Sequence, residues 1–261
     1  MKNQLFAFCI LTISFFSCQS GQSEQQASTT NEAAPAATAP GASLTEAEKA
    51  AGWRFLFDGQ NTDQWRAYGG AAFPAQGWSV ENGELVIQKS PNPRPEGYGG
   101  DIITKESFSN FELTLEFLLS DTSNSGILYL VQEEKGVPIW HNAPEYQILD
   151  NATYEKMDEV PDMATHRTCD NYDLQAAPAD YLQPMQEWNT ARLIVNNGHV
   201  EHWLNGSKCV EYQLGSPEWE AMVKKSKFKD YPGYGRAKQG PIGLQDHDHE
   251  VRFRNIKIRT L

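Results

Sequence analysis

Hydrophobic and polar residues alternate with a period of two along several stretches of this chain, which is the pattern of half-buried β-strands. The longest such stretch runs from Phe111 to Leu119, where every odd-numbered position is Phe or Leu. Glu112, Thr114 and Glu116 lie between these apolar residues. The alternation predicts one long strand with a buried face.

Shorter strand-like segments are bounded by turn residues. Asn197-Gly198 and Asn205-Gly206 flank His199–Leu204 and favour a hairpin on each side of it. The other segments with strand-like pattern are Trp53–Phe57, Trp78–Val80, Glu84–Gln88, Ile127–Val131, Ala191–Val195 and Val251–Ile258. Many short strands separated by turns predict an all-β antiparallel sandwich of the jelly-roll kind.

Two short helices are predicted at the periphery of this sandwich. Thr45-Glu46-Ala47-Glu48 has the spacing of a capping box, and Gly52 would end the first helix. Ser216-Pro217 would begin the second, because proline is favoured at the first helical position. Its apolar face would consist of Trp219, Met222 and Val223.

The N-terminus is typical of an export signal. Lys2 precedes the apolar run 5–16, which is too short to cross a bilayer as a stable helix. Ser17-Cys18 after such a run is typical of a bacterial lipoprotein, so we expect residues 1–17 to be removed and Cys18 to be lipidated. Ordinary signal cleavage further along is the alternative. An exported lipoprotein, periplasmic or anchored at the outer membrane or cell surface, is therefore expected.

Residues 18–42 are rich in Gln, Ser, Ala and Pro and nearly uncharged, which predicts a disordered tether. Residues 43–261 remain as one folded domain. The formal net charge of −12 argues against nucleic acid or an anionic membrane surface as partner. Membrane contact is expected only through the lipid at Cys18. Cys169 and Cys209 are expected to be lone buried thiols, with a disulfide as the alternative in an oxidising compartment.

Two polar segments predict a functional site. In 145–150 alternation puts Glu145 and Gln147 on one face, with the likelier core residues on the other. Near the C-terminus, Gln245 and His247 share a face in the same way. If the two segments lie side by side as strands, a carboxylate and an imidazole form an acid/base pair. The alternative is a polar face that is exposed to solvent and has no catalytic role.

A divalent metal is a weaker interpretation of Asp246-His247-Asp248-His249. Asp246 and His249 would need further ligands such as His141 or His166, and no closed zinc-type spacing is present. A polar loop is the default interpretation.

Several motifs, taken in order, resemble the 3-keto-disaccharide hydrolase family over nearly all of 53–261. They are Asn124-Ser-Gly-Ile127, Glu145-Tyr-Gln-Ile-Leu-Asp-Asn151, Tyr172-Asp-Leu174, Trp188-Asn189, Leu204-Asn-Gly206, Gly240-Pro-Ile-Gly-Leu-Gln-Asp-His247 and Val251-Arg-Phe-Arg-Asn-Ile-Lys-Ile258. The resemblance implies a concanavalin-like or laminin-G-like jelly roll. The chain departs from the family at Asp248, where glycine is usual, and at 168–171, which is commonly glycine-rich.

The resemblance also implies the chemistry of the site. A ketone at C3 of a sugar acidifies the C2 hydrogen, so a base can remove it and the C1 aglycone can leave by β-elimination, with or without later addition of water. Glu145 and His247 are the expected catalytic pair. Substrate binding is expected from Asn124, Gln147, Gln245, Asp101, Trp140 and Tyr172.

Two alternatives remain open at this point. A conventional glycoside hydrolase would need two opposed carboxylates, which Glu145 could form with Asp101, Asp150 or Asp246. A non-catalytic carbohydrate-binding module on the same fold would need only amides and aromatic rings. In every case the expected partner is a small carbohydrate.

Overall fold

The computed structural model describes residues 42–157 and 163–261. The predicted signal peptide, Cys18 and all of the predicted tether except Ala42 lie outside these residues and stay predictions. The described strands are β1 (Arg54–Phe57), β2 (Trp65–Ala67), β3 (Trp78–Glu81), β4 (Glu84–Ile87), β5 (Ile102–Thr104), β6 (Phe111–Leu119), β7 (Asn124–Leu128), β8 (Glu145–Leu149), β9 (Asn189–Asn196), β10 (His199–Leu204), β11 (Ser207–Gln213), β12 (Gly243–Leu244) and β13 (Val251–Thr260).

The strands form two antiparallel sheets. The larger sheet has the order β11-β10-β9-β6-β13-β4-β3, and β1 adds to β13. The smaller sheet has the order β2-β5-β12-β7-β8. The predicted all-β jelly-roll sandwich is confirmed.

The main core lies between the inward faces of the two sheets. Strand β6 has the predicted bounds, and its alternating Phe and Leu side chains are at most 5% exposed. From the smaller sheet, Tyr146 and Ile148 enter the same core. Complete burial of one such side chain contributes about 1.5–3 kcal/mol relative to its exposure. The inward face of β8 is therefore fixed, and its other face points away from the core.

Both predicted helices are present. Helix α1 (Glu46–Ala50) has the capping box, with Thr45 and Glu48 bonded reciprocally. Helix α3 (Pro217–Lys225) begins after the N-cap Ser216 and buries Trp219 and Val223. Helix α2 (Asn151–Tyr154), whose N-cap is Asp150, was not predicted from the sequence. Three 3₁₀ helices complete the described elements: η1 (Ile139–His141), η2 (Met163–Thr165) and η3 (Lys227–Asp230).

The strand predicted at Ile127–Val131 lies earlier, because β7 begins at Asn124 and ends at Leu128. The expectation that Gln245 and His247 lie on a strand is wrong. Strand β12 ends at Leu244, and both residues follow it outside any strand. The long strand that follows, β13, belongs to the larger sheet. Residues 245–250 therefore cross from one sheet to the other, which interrupts the strand.

The expectation of lone thiols is also wrong, because Cys169 and Cys209 form a disulfide. Cys169 lies beside β8, because its N–H donates a hydrogen bond to the carbonyl of Gln147 at 2.9 Å. Cys209 lies on β11, the edge strand of the larger sheet. The bridge thus joins the two sheets beside the edge strand β8.

No helix in the described ranges is both long and apolar enough to cross a membrane.

Candidate functional site

A cavity of about 250 Å³ opens on the face of the smaller sheet that points away from the main core. It is lined by Asn124, Trp140, Glu145, Gln147, Tyr172, Lys227, Gln245 and His247. Seven of these eight residues are site residues predicted from the sequence, and Lys227 is the exception. The volume lies below the roughly 300–1,000 Å³ of pockets for drug-sized ligands, so a small ligand such as one sugar ring fits it.

The register of three strands brings the predicted residues together. Gly126 of β7 pairs with Gln147 of β8, and its carbonyl accepts a hydrogen bond from the N–H of Gln245 at 3.0 Å. Gln245, Gly126 and Gln147 thus form one row across the sheet. The two polar segments were expected to be direct neighbours, which is wrong because β7 lies between them.

Gly126 leaves the floor of the cavity free of a side chain. A Cβ at this position would lie 2.0 Å from Oε1 of Glu145. The Glu145 side chain therefore folds over the glycine, into space that any other residue would occupy. This role of Gly126 was not predicted from the sequence, although the residue is part of the Asn124–Ile127 motif.

Glu145 is buried in the cavity wall, with 3% of its surface exposed. Burial raises the pKa of its carboxyl from 4.5 to about 8; the nearby Lys227 ammonium opposes this shift and Asp101 adds to it. No hydrogen bond from a described residue reaches the carboxylate oxygens, so they are available to a ligand. The environment is that of an acid/base group working near neutral pH.

Lys227 begins η3 and extends its ammonium into the cavity. Its Nζ donates a hydrogen bond to the hydroxyl of Tyr172 at 3.0 Å. The same Nζ lies 4.8 Å from the ring centroid of Trp140 and 4.2 Å from that of Tyr172. In the sequence it is one of four lysines between 224 and 229, and no local signal distinguishes it from the other three.

His247 is exposed at the edge of the cavity, and its loop is fixed by an ion-pair network. Arg94 contacts Oδ2 of Asp246 and Oδ1 of Asp248, both at 2.6 Å. The N–H of Gly100 also donates to Oδ2 of Asp246, at 2.7 Å. The side chain of Asp246 is only 2% exposed, so this contact fixes the backbone that carries His247.

The predicted metal set is not assembled. Asp246 is occupied by Arg94, whose positive charge opposes a bound cation. His141 stacks on Tyr231 instead, and His166 lies 3.3 Å from Asp173. The one group with metal-like spacing in residues 42–157 and 163–261 is His199, Glu201 and Glu211, on the larger sheet. Lys208 forms an ion pair with Glu211 there, which neutralises part of that group.

Asp101 is not among the residues that line the cavity. Its Oδ1 accepts a hydrogen bond from the N–H of Asp246 at 2.9 Å, and burial raises the pKa of this carboxyl to about 6. The other proposed partners of Glu145 are engaged as well: Asp246 with Arg94, and Asp150 as the cap of α2. Glu145 is the only carboxylate among the described lining residues.

The remaining lining residues form an aromatic and amide wall. The N–H of Tyr172 donates to the carbonyl of Glu145 at 3.2 Å, which places this ring beside the carboxylate. Trp140 also lines the cavity and packs edge-on against Tyr231. Asn124 starts β7 beside Leu149, and its amide faces the cavity with that of Gln147. Rings and amides of this kind bind sugar faces and hydroxyls.

The fold and the cavity together define a jelly-roll protein with a polar, ring-sized ligand site on its smaller sheet. The chain belongs to the family of 3-keto-alpha-glucoside-1,2-lyase-like domains, whose model matches residues 52–259. It is 34% identical over 230 residues to the 3-keto-disaccharide hydrolase of Bacteroides thetaiotaomicron, an alignment that covers 80% of this chain and 79% of that protein.

Solved structures are similar over the same region. A candidate glycosyl hydrolase from Parabacteroides distasonis matches with 32% identity and a TM-score of 0.75, covering 85% of this chain and all of that one. A second candidate glycosyl hydrolase from the same organism matches with 26% identity and a TM-score of 0.59, covering 80% and 99%.

Each of the two segments where the resemblance implies glycine contains a residue with left-handed backbone. Asp248 has a φ of 68°, and Cys169, within 168–171, has a φ of 77°. This region favours glycine because a side chain there is strained. Both side chains form a bond that glycine cannot form. Asp248 forms an ion pair with Arg94, and Cys169 forms the disulfide with Cys209.

Proposed function

We propose that this protein cleaves glycosides whose sugar ring carries a ketone at C3, with Glu145 removing the C2 proton. The observation that carries the proposal is one buried carboxylate, with a pKa of about 8, in a cavity for one sugar ring. Family membership and the named activity of the Bacteroides thetaiotaomicron relative support the same substrate class.

The reaction needs no change in oxidation state. Removal of the C2 proton leaves an electron pair that forms the C2–C3 double bond, while the carbonyl pair moves to the C3 oxygen. Return of that pair restores the ketone, forms a C1–C2 double bond and breaks the bond from C1 to the aglycone oxygen. The aglycone takes up a proton, and later addition of water at C1 would make the net reaction a hydrolysis.

The positions of the two predicted catalytic residues suggest a division of roles. Glu145 lies in the interior of the cavity, where the oxidised ring fits, and desolvation strengthens it as a base. His247 is exposed at the edge, where the aglycone would leave towards solvent. His247 is therefore the proposed donor of the proton to the leaving oxygen. The amides of Asn124, Gln147 and Gln245 would hold the ring hydroxyls.

The two alternatives have less support. Conventional hydrolysis uses a second carboxylate about 5–9.5 Å from the first, and the described cavity wall contains only Glu145. A purely sugar-binding role would not require the burial of a carboxyl without hydrogen-bond donors from the described residues. Such burial is costly for binding and useful for proton transfer.

The test compares a p-nitrophenyl 3-keto-glucoside, an alkyl 3-keto-glucoside and their unoxidised parents. We expect cleavage of the oxidised substrates only. The kcat/KM of the wild type on the oxidised substrates should rise as the pH approaches about 8, because the base acts in its ionised form. Cleavage of the parents alone would refute the proposal in favour of two-carboxylate hydrolysis, and binding without turnover would refute it in favour of a binding module.

Two variants separate the roles of the pair. Glu145→Gln should lose at least 10²-fold in activity on both oxidised substrates, because each needs the base. His247→Gln should lose activity mainly on the alkyl glycoside, since p-nitrophenolate leaves without protonation. Glu187→Gln, an exposed carboxylate outside the cavity, is the matched control and should keep full activity.

We also propose that the protein acts outside the cytoplasm as a lipoprotein anchored at Cys18. The disulfide between Cys169 and Cys209 supports an oxidising compartment. Metabolic labelling with a fatty-acid analogue should mark the protein and should not mark a Cys18→Ser variant. Equal labelling of both would refute the anchor.

A further inference from the structure

Lys227 is the one lysine or arginine among the described residues that line the cavity, and no role in the reaction has been given to it above. It was not distinguishable in the sequence. Its ammonium contacts the hydroxyl of Tyr172 at 3.0 Å and the rings of Trp140, Tyr172 and Phe228 at 4.8, 4.2 and 5.3 Å. The direct contacts of the ammonium are thus with neutral groups, while the carboxylates of Asp173 and Glu145 act on it through space.

The geometry points to Lys227 as the catalytic group that stabilises the negative charge on the C3 oxygen when Glu145 removes the C2 proton. This inference rests on the proposed function. C2 and C3 are adjacent ring atoms, so a base at the one and a cation at the other must flank the same edge of the sugar. Glu145 and Lys227 line one ring-sized cavity and satisfy that requirement.

The two groups interact through space without forming an ion pair. Each perturbs the other electrostatically, yet none of the ion pairs between described residues joins them. A contact pair would neutralise both charges and fill the space that the substrate needs. The observed arrangement keeps the base and the cation apart, so the cation can polarise a substrate carbonyl that lies between them.

Lys227 is exposed as a residue, and aromatic rings hold its ammonium at the cavity wall. Aromatic faces attract an ammonium without neutralising it, and the Tyr172 hydroxyl accepts only one of its three N–H donors. The backbone is fixed as well, because the N–H of Lys227 donates to Oδ2 of Asp173 at 2.9 Å. Donors held in advance where charge develops cost no reorganisation during the reaction.

The lining amides are weaker candidates for this role. The Oε1 of Gln147 already accepts a hydrogen bond from the N–H of Ile148 at 2.9 Å, which orients that amide. Asn124 lies two paired positions beyond Gly126 on the side away from Glu145. Both are neutral, and a charge-assisted hydrogen bond to an oxyanion is roughly twice as strong as a neutral one.

The experiment measures two rates on a 3-keto-glucoside: aglycone release, and exchange of the C2 hydrogen in deuterated water. Lys227→Met should lower both rates by about 10²–10³-fold, the usual loss for one oxyanion donor. Because the lost interaction forms mainly in the transition state, KM should change less than kcat. Lys229→Met, two residues further along and outside the cavity, is the matched control and should match the wild type in both rates.

The outcomes separate this inference from the proposed function. A wild type that cleaves the substrate, together with a Lys227→Met variant within threefold of it, would overturn the role of Lys227 alone. A wild type without activity on any 3-keto-glycoside would overturn both. Borohydride treatment during turnover should leave the mass of the protein unchanged; reductive attachment of the sugar to Lys227 would replace charge stabilisation with a Schiff base. A thermal melt of Lys227→Met verifies that the variant is folded.

Discussion

Replacing Glu145 by glutamine should make the protein more stable, and increasingly so as the pH rises. The carboxyl is 3% exposed and accepts no hydrogen bond from a described residue. Its ionisation therefore costs free energy in the folded state that it does not cost in the unfolded chain. Glutamine has nearly the same shape and cannot ionise, so the variant escapes this cost.

The size and sign of the effect follow from the pKa. The folded pKa of about 8 lies above the ordinary value of 4.5, so between these values the folded state binds more protons than the unfolded one. Wild-type stability must therefore fall as the pH rises from 4.5 to 8. At about 1.4 kcal/mol per pKa unit, the loss is about 3 kcal/mol at pH 7 and about 5 kcal/mol above pH 8.

Urea unfolding of the disulfide-intact protein at several pH values between 4.5 and 9 measures this difference. The free energies of unfolding of Glu145→Gln and the wild type should be nearly equal near pH 4.5 and diverge up to about pH 8. In a thermal melt at pH 9, the Tm of the variant should be about 10 °C higher. A variant that is less stable at every pH, or a difference that does not change with pH, would refute the reasoning.

Glu48→Gln is the control with the opposite sign. Hydrogen bonds from Lys257 and Thr45 lower the pKa of Glu48 to about 2, so this carboxylate adds stability above pH 4.5 that is lost only as the pH falls towards 2. Its glutamine variant should be less stable than the wild type, by an amount that stays constant between pH 6 and 9.

Two further predictions concern the scaffold of the site. Gly126→Ala should displace the Glu145 carboxylate and lower kcat on a 3-keto-glucoside by at least tenfold, since a shift of about 1 Å can cost 10²-fold. Gly243→Ala is the control: its Cβ would lie 2.9 Å from the end of the Ile139 side chain and 3.5 Å from Ile102 and Ile103, away from Glu145. Equal activity of both variants would contradict the role of Gly126. Replacing Cys169 and Cys209 by serine should lower the free energy of unfolding by about 4 kcal/mol, because the bridge spans 40 positions. An unchanged urea midpoint would show that the unfolded chain is not constrained by the bridge.

The fold could be predicted where the signal is local. Strand β6 was predicted with its observed ends because burial of one face imposes a period of two on the residues themselves. Helix α1 was predicted because its capping box lies within four consecutive residues. The disulfide was not predicted, since nothing near Cys169 or Cys209 encodes that their Cα atoms lie 6.0 Å apart.

The site was predicted as a set of residues and not as an arrangement. Alternation identified Glu145 and Gln147 as one face of a strand, but it could not show that β7 would lie between them and Gln245. Lys227 was missed because its place in the cavity depends on rings at Trp140 and Tyr172, far away in sequence. Charge alone gives no reason to choose it over the neighbouring Lys224, Lys225 and Lys229.

The same desolvation that suits Glu145 to its proposed role as a base also makes it a destabilising residue, and the architecture explains how the fold tolerates both. The main core is formed by the opposite face of β8, where Tyr146 and Ile148 pack between the sheets without any contribution from Glu145. The carboxyl is instead enclosed by loops on the outer face, through Trp140, Tyr172 and Lys227. Stability is thus provided on one side of the strand and lost on the other. Substitutions that open the outer wall should therefore lower the pKa of Glu145 and reduce activity without lowering the free energy of unfolding.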